Sequence, residues 1–326
     1  MIPMNTRFSR RTFAAASAAV SVSVLGASRG VLAQDATPAA SPVEAAGLFD
    51  STGLTEIVIS AEQYTFTAAV PGALAEGWYI ITLQNNSDAV ASANLGLLPE
   101  GTSGGDLTSV VAQSFQGQGG ELPDWWLSAT FAGGNVAAPG ASTSTLAYLT
   151  PGKWFMFSTN PASAQSPSSF SILTPEELET NYGIAADASA TPAASPATNA
   201  IMAPEGVVAT VNVDVNDTMV SPDGAPAGGE QILQVTNGGE QVHDLVILHT
   251  EDILDEAGAA SLATSWISGE ETNAMVVGGV GTLSPGLSAF AGIDAQPGTY
   301  AVFSSLPDAN GGLQVDNGLV TIFTAQ

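Results

Sequence analysis

The chain of 326 residues contains no cysteine. That one absence excludes disulfides, thiolate metal sites and cysteine nucleophiles together. Cations are almost as scarce, with five Lys and Arg against 31 Asp and Glu and a formal net charge of −26. A surface so poor in cations cannot neutralise a phosphate backbone, so nucleic acid is excluded as a partner, and an anionic lipid surface would repel the chain. Nor is there a long apolar run. The Ala- and Ser-rich stretch after Arg11 is too short to cross a bilayer, so no membrane span is expected. What is abundant is Gly (35) and Pro (19), beside charged residues at only 11%, a composition of short strands and turns rather than charged helices. Without cross-links, stability has to come from buried core.

The N-terminus carries Arg10 and Arg11 in Ser-Arg-Arg-Thr-Phe, then a weakly apolar stretch, then Val31-Leu32-Ala33. Arginine pair, apolar run and small-residue cleavage pattern stand in the order of a twin-arginine export signal over residues 1–33. The expected location is therefore extracytoplasmic, secreted or at the cell surface. Four of the five basic residues lie in that segment; the remainder has Lys153 alone against the 31 acids, a charge of −30.

Residues 34–46 are small, polar and proline-containing, the composition of a disordered leader. Their hexapeptide Thr-Pro-Ala-Ala-Ser-Pro at 37–42 returns at 191–196, within an Ala/Pro/Ser/Thr-rich linker expected over 185–203. Two globular stretches follow these segments, 47–184 and 204–326, and they are expected to fold independently, with proteolysis cutting in the linker first.

The two stretches repeat one pattern. Pro-Gly pairs stand at 139 and 151 in the first and at 285 and 297 in the second. An aromatic follows the second pair in each (Trp154; Tyr300), and Phe157-Ser158 matches Phe303-Ser304. Strands are expected at 55–60, 64–68, 78–83, 93–98, 142–148, 154–158 and 170–173, and again at 207–215, 231–236, 242–248, 287–293, 300–304 and 319–323. Helices are expected over 106–115, 175–182 (with Thr174 and Glu177 as a capping box) and 251–268. Gly133-Gly134 and Gly278-Gly279 read as turns.

At this point the second stretch, over about residues 207–323, resembles a cupredoxin of the blue-copper and plastocyanin-like group. The resemblance rests on Asn237-Gly238-Gly239 before His243 in an apolar strand, and on Pro297-Gly298-Thr299-Tyr300-Ala301-Val302-Phe303 before the final loop. It implies an all-β fold: two tandem cupredoxin-like Greek-key β-sandwiches, each with a short helical insert. It also implies four copper-ligand positions. They fall on His243, on Ser304 where the family has Cys, on Gln314 where it has His, and on Leu319 where it has Met. The first stretch resembles the fold over about 55–173, with its histidine position near Ala93 and its cysteine position at Ser158. A type 1 copper site needs a soft thiolate, which serine does not supply. The site is therefore expected to be degenerate, with no metal and no cofactor.

Other candidates are weaker. His243 and His249 are six residues apart on a strand, about 20 Å, so one ion cannot bridge them. Gly101-Thr102-Ser103-Gly104-Gly105 is close to a serine-protease motif but has Thr in place of Asp, and both histidines lie in the other stretch. Asp214, Asp217 and Asp223, or Asp308, Asn310 and Asp316, could hold calcium, though solvated turn residues explain them better. Trp125, Trp126 and Trp266 are expected to cap the core. No catalytic residue is assigned. The expected function is an exported, non-catalytic binding or structural protein whose partner is an unknown extracytoplasmic ligand or protein. The alternative is an extracytoplasmic copper- or metal-binding protein, in electron transfer or metal handling, using His243.

Overall fold

The structure is a computed structural model that describes residues 47–114, 121–160, 166–184 and 202–325. Residues 1–33, expected to be an export signal, residues 34–46, expected to be a leader, and residues 185–201 of the expected linker lie outside the described residues. The described residues belong to one compact unit.

The first half contains β1 (Thr55–Ala61), β2 (Phe66–Ala69), β3 (Leu74–Ala75), β4 (Gly77–Asn85) and β5 (Ala91–Leu97). An insert of two helices follows, α1 (Gly104–Ser114) and α2 (Asp124–Ser128), then β6 (Thr130–Ala137), β7 (Ser142–Leu149), β8 (Gly152–Phe157), β9 (Ser168–Leu173) and α3 (Pro175–Tyr182). The second half repeats the order with β10 (Val211–Asn216), β11 (Met219–Pro222), β12 (Gly229–Asn237) and β13 (His243–Thr250). Its insert is α4 (Glu256–Ile267), and β14 (Met275–Leu283), β15 (Ser288–Ala295), β16 (Gly298–Phe303), a 3-10 turn at Gln314–Asn317 and β17 (Val320–Ala325) complete it. The fold is all-β: two cupredoxin-like Greek-key sandwiches, each with a short helical insert. In each half one sheet holds a parallel pair, β1 with β4 and β10 with β12, flanked by antiparallel neighbours. Alternating residues supply the core: Ile57, Ile59, Ile81 and Leu83 meet Leu95, Trp154 and Met156 in the first half, and Val213, Val215, Leu233 and Val235 meet Leu245, Ile247 and Tyr300 in the second.

The halves share both sheets. One runs β11-β10-β12-β15-β7-β4-β1-β2, the other β17-β16-β13-β14-β6-β5-β8-β9-β3. At each seam a strand pairs antiparallel with its own counterpart: Ala291 faces Thr145 where β15 meets β7, and Leu283 faces Ala132 where β14 meets β6. The pairing of equivalent strands gives the molecule an approximate two-fold axis through the seams. Side chains also cross. Val242 and Leu306 of the second half pack into the cluster under α1 and α2, with Trp126, Phe131 and Phe157. In return Val90, Val136 and Ala138 of the first half pack with the cluster under α4. Burying Val242 and Leu306 is worth about 1.5–3 kcal/mol each. The expected independence of the halves thus meets a continuous interface, one that two separately read stretches do not reveal.

Two expectations about backbone are corrected. Gly133-Gly134 and Gly278-Gly279 are not turns; they lie inside β6 and β14. A Cβ on Gly134 would stand 2.0 Å from the Ala93 carbonyl oxygen, and one on Gly279 would stand 2.1 Å from that of Leu245. The missing side chain is what lets the neighbouring strand close. Second, the alternation from Val207 begins its strand only at Val211. Val207 is instead buried with Phe49, Ile80, Leu146 and Phe290 on the outer face of the eight-stranded sheet, across its seam. The capping box on α3 forms as expected, with Glu177 N donating to Thr174 Oγ1 and Thr174 N to Glu177 Oε2.

Candidate functional site

One end of the second half gathers most of the singled-out residues. His243 opens β13, Ser304 follows β16, Gln314 opens the 3-10 turn, and Leu319 precedes β17. His243, Ser304 and Gln314 are all buried, at 1%, 0% and 2% exposure. Both His243 Nδ1 and Ser304 Oγ lie 2.7 Å from one atom, Gln314 Oε1. The amide oxygen occupies the point on which the three side chains converge. Leu319 joins through its backbone, its carbonyl accepting from Ser304 N at 3.0 Å, while its side chain belongs to the core.

The orientation of the Gln314 amide can be assigned. Gln314 Nε2 donates to Val242 O at 3.0 Å and Pro307 O at 3.2 Å, which turns Oε1 toward the histidine and makes it an acceptor. On the other side of the ring, Nε2 is 3.0 Å from Asp217 Oδ1. That carboxylate already accepts from the backbone N–H groups of Glu240 and Gln241. Both ring nitrogens therefore face oxygen atoms within hydrogen-bond distance, Nδ1 the Gln314 amide and Nε2 the Asp217 carboxylate. Burial by itself would push the Asp217 carboxyl up, but the Glu240 and Gln241 amides and the His243 ring together hold it below the usual carboxylate range.

Asp217 reaches the ring because Asn216 forms the β10–β11 turn, its Oδ1 accepting from Thr218 N and Met219 N. Gly239 leaves the room: a Cβ there would stand 2.5 Å from Asp217 Oδ1 and 2.7 Å from His243 Nε2.

Asp244, beside His243 on β13, extends the network. Its Oδ1 accepts from Ser305 N at 2.7 Å and lies 2.8 Å from Ser304 Oγ; its Oδ2 accepts from Ser305 Oγ. Ser304 has one proton for two acceptors, Asp244 and Gln314. Burial pushes the Asp244 carboxyl up, against the lowering donations of Ser305 and Ser304 and the charge of His243. Sequence reasoning passed over Asp244. The available signal was a single acid in the apolar strand Val242–Leu248. Asp217 was named, but as a calcium candidate.

The donor set does not fit the copper site that the fold family implies. A metal needs an imidazole lone pair, and each His243 nitrogen already has an oxygen within hydrogen-bond distance, Gln314 Oε1 at 2.7 Å and Asp217 Oδ1 at 3.0 Å. The remaining groups are a hydroxyl, an amide oxygen and an aliphatic side chain, none a soft ligand.

The remaining candidates stand apart. His249 is half-buried, its Nε2 3.2 Å from Pro297 O and its ring 4.9 Å from that of Tyr300. Ser103 is a helix cap: its N and Oγ donate to Asp106 Oδ2 at the start of α1. Asp223 binds Asn212, and Asp308 holds its own loop through Asn310 N, Gly312 N and Asn317 Nδ2. Asp214, Asp316 and the other acids do not gather: among the described residues no three His, Cys, Asp or Glu side chains form a metal-sized group. Trp126 is buried and Trp125 and Trp266 half-buried, all against the inserts' clusters. In the first half, Asn94 faces Phe157 as Val246 faces Phe303. This register makes Ala91, two residues before Ala93, the counterpart of His243. There Ser92 Oγ and Ser158 Oγ lie 3.1 Å apart. Among the described residues no helix is long and apolar enough to cross a membrane.

No protein-family model matches the chain, and no curated protein matches it. Among solved structures, dithionite-reduced auracyanin from Roseiflexus castenholzii is 20% identical over 35% of this chain and 94% of that one, with a TM-score of 0.26. A copper-containing nitrite reductase from Thermus scotoductus SA-01 is 11% identical, over 83% of this chain and 61% of that one, with a TM-score of 0.22. A multicopper oxidase is likewise 11% identical, over 83% of this chain and 88% of that one, with a TM-score of 0.21. Likeness at this level says nothing of chemistry, and the strand order described above carries the fold.

Proposed function

We propose that this chain is an exported, non-catalytic binding or structural protein built from two copper-less cupredoxin-like modules. The observation that carries the reading is Gln314 Oε1, which fills the point where His243 and Ser304 converge and takes a hydrogen bond where a metal would need a lone pair. The network around it is satisfied by hydrogen bonds, so it holds the end of the sandwich together without an ion. Export would follow the twin-arginine route, which Arg10 and Arg11 support.

Metal content of the natively exported protein tests the first part. Copper well below one equivalent and no intense visible absorption on oxidation are expected. Near-stoichiometric copper that is lost in His243→Ala would overturn the reading. For the second part, replacing both Arg10 and Arg11 by lysine is expected to hold the precursor in the cytoplasm; unchanged export would remove the route from the proposal.

A further inference from the structure

Asp244 has a second neighbourhood besides the His243 network. In the register that aligns the halves, Asp244 corresponds to Ser92 and Ser305 to Thr159. The approximate two-fold axis brings all four side chains to a single cleft between the halves. The cleft offers about 30 Å³, enough to admit a water molecule or an ammonium group. Trp266 and Leu313, both half-buried, also line the cleft and supply apolar surface.

The two-fold relation is broken at one chemically telling place, where the first half puts a hydroxyl and the second a carboxylate. That carboxylate has donors from Ser305 and Ser304 Oγ within hydrogen-bond distance, but no Lys or Arg lines the cleft. Lys153 is the one such residue among those described, and its Nζ lies 5.1 Å from the Phe155 ring centroid, away from the cleft lining. A buried carboxylate beside hydroxyls favours a ligand that brings both positive charge and N–H donors. An indole and aliphatic wall favours a ligand with an apolar stem next to that charge.

We propose that the cleft between the halves binds a primary ammonium carried on an unbranched alkyl stem, with the ammonium at Asp244 and the hydroxyls and the stem along Trp266. The same chemistry is offered by a free alkylamine and by a lysine side chain on a basic partner. The proposal rests on reading the protein as a binding module, yet its failure is separable: an amine titration says nothing about copper content, and the reverse holds.

The test is a calorimetric and NMR titration of the full exported chain with butylammonium chloride and, in a second arm, with an acetylated, amidated Gly-Lys-Gly peptide. Sodium chloride, butanol and butyltrimethylammonium are the controls. One saturable site is expected for butylammonium, the peptide or both, and which of them binds identifies the source. Affinity is expected to fall at least tenfold in Asp244→Asn and at least tenfold for butyltrimethylammonium, which is too large for the cavity and has no N–H to donate. Should that variant fold poorly, magnetisation transfer between the ligand methylenes and the Trp266 indole in the unaltered protein serves instead. No saturable binding in either arm would overturn the proposal. So would affinity equal to that of sodium or the quaternary amine, binding unchanged by Asp244→Asn, or ligand contacts away from Trp266.

Discussion

Replacing Asn94 by alanine should weaken both halves of the molecule at once. Asn94 lies on β5, is 1% exposed, and is bonded in two directions. Its Oδ1 accepts from Thr282 N of the other half at 2.8 Å, and its Nδ2 donates to Phe157 O of its own half at 3.1 Å. Truncation leaves the buried Thr282 N–H without its acceptor, at a cost of about 1–3 kcal/mol. The lost donation to Phe157 O and the small cavity add about 1 kcal/mol more. A total of about 3 kcal/mol, in a folded region of this size, lowers the melting temperature by about 6–12 °C. Because the bond crosses the seam, hydrogen exchange read by mass spectrometry should speed up in peptides from β12 as well as β4, and thermal unfolding should remain a single transition. The reasoning fails if two transitions separate and only the one belonging to the first half moves, or if the melting temperature shifts by less than about 1 °C.

Two further outcomes come from the His243 network. Gly239→Ala should cost about 1–3 kcal/mol in denaturant unfolding, because its Cβ would enter the space between Asp217 and His243; a cost near zero would mean the pair is not closed in solution. The two acids should respond to pH with opposite signs. Asp217 is held below the usual carboxylate range, so its stabilisation is present above the unfolded value near 4 and lost as pH falls through the folded value. Asp244 is pushed up, so its contribution favours folding in acid and is lost as pH rises through its folded value. Asp217→Asn should therefore cost about 1–2 kcal/mol at neutral pH and little in acid. Asp244→Asn, which keeps an acceptor for Ser305 N without the buried charge, should be neutral to stabilising at pH 7, with that advantage vanishing in acid; equal behaviour of the two variants would refute the assignment.

The repeat was readable because it is written in turn chemistry. The Pro-Gly pairs at 139 and 285 open the turns into β7 and β15, and those at 151 and 297 open β8 and β16. Core faces were readable wherever one side of a strand is buried, as in Val211, Val213 and Val215. The glycine pairs were misread because close approach of a neighbouring backbone and a tight turn both call for glycine, and only the neighbour's position tells them apart. The extension of the strand back to Val207 failed for a similar reason, since an apolar residue tucked over a sheet keeps the same alternation as one within it. His243, Ser304 and Gln314 were assembled by resemblance, yet the atom at their centre was not foreseeable. An amide places its oxygen or its nitrogen at a given point depending on what binds the other end, here the carbonyls of Val242 and Pro307. The seam left no mark in the sequence, because a strand that pairs with its own counterpart reads like any other strand.

The seams also govern what this protein risks on its surface. Alone, each half would end one sheet in β7 or β15 and the other in β6 or β14, strands of eight or nine residues with a free row of backbone donors and acceptors. Such edges recruit other chains, and in the shared sheets each covers the other. The termini of the shared sheets are β11 and β2, with four residues each, β3 with two, and β17 with six. Short ends template poorly. A half expressed by itself would regain a long open edge on both sheets, and the partner best shaped to cover it would be a second copy of the same half, so a single-module fragment should be recovered as a homodimer or an aggregate rather than as a monomer.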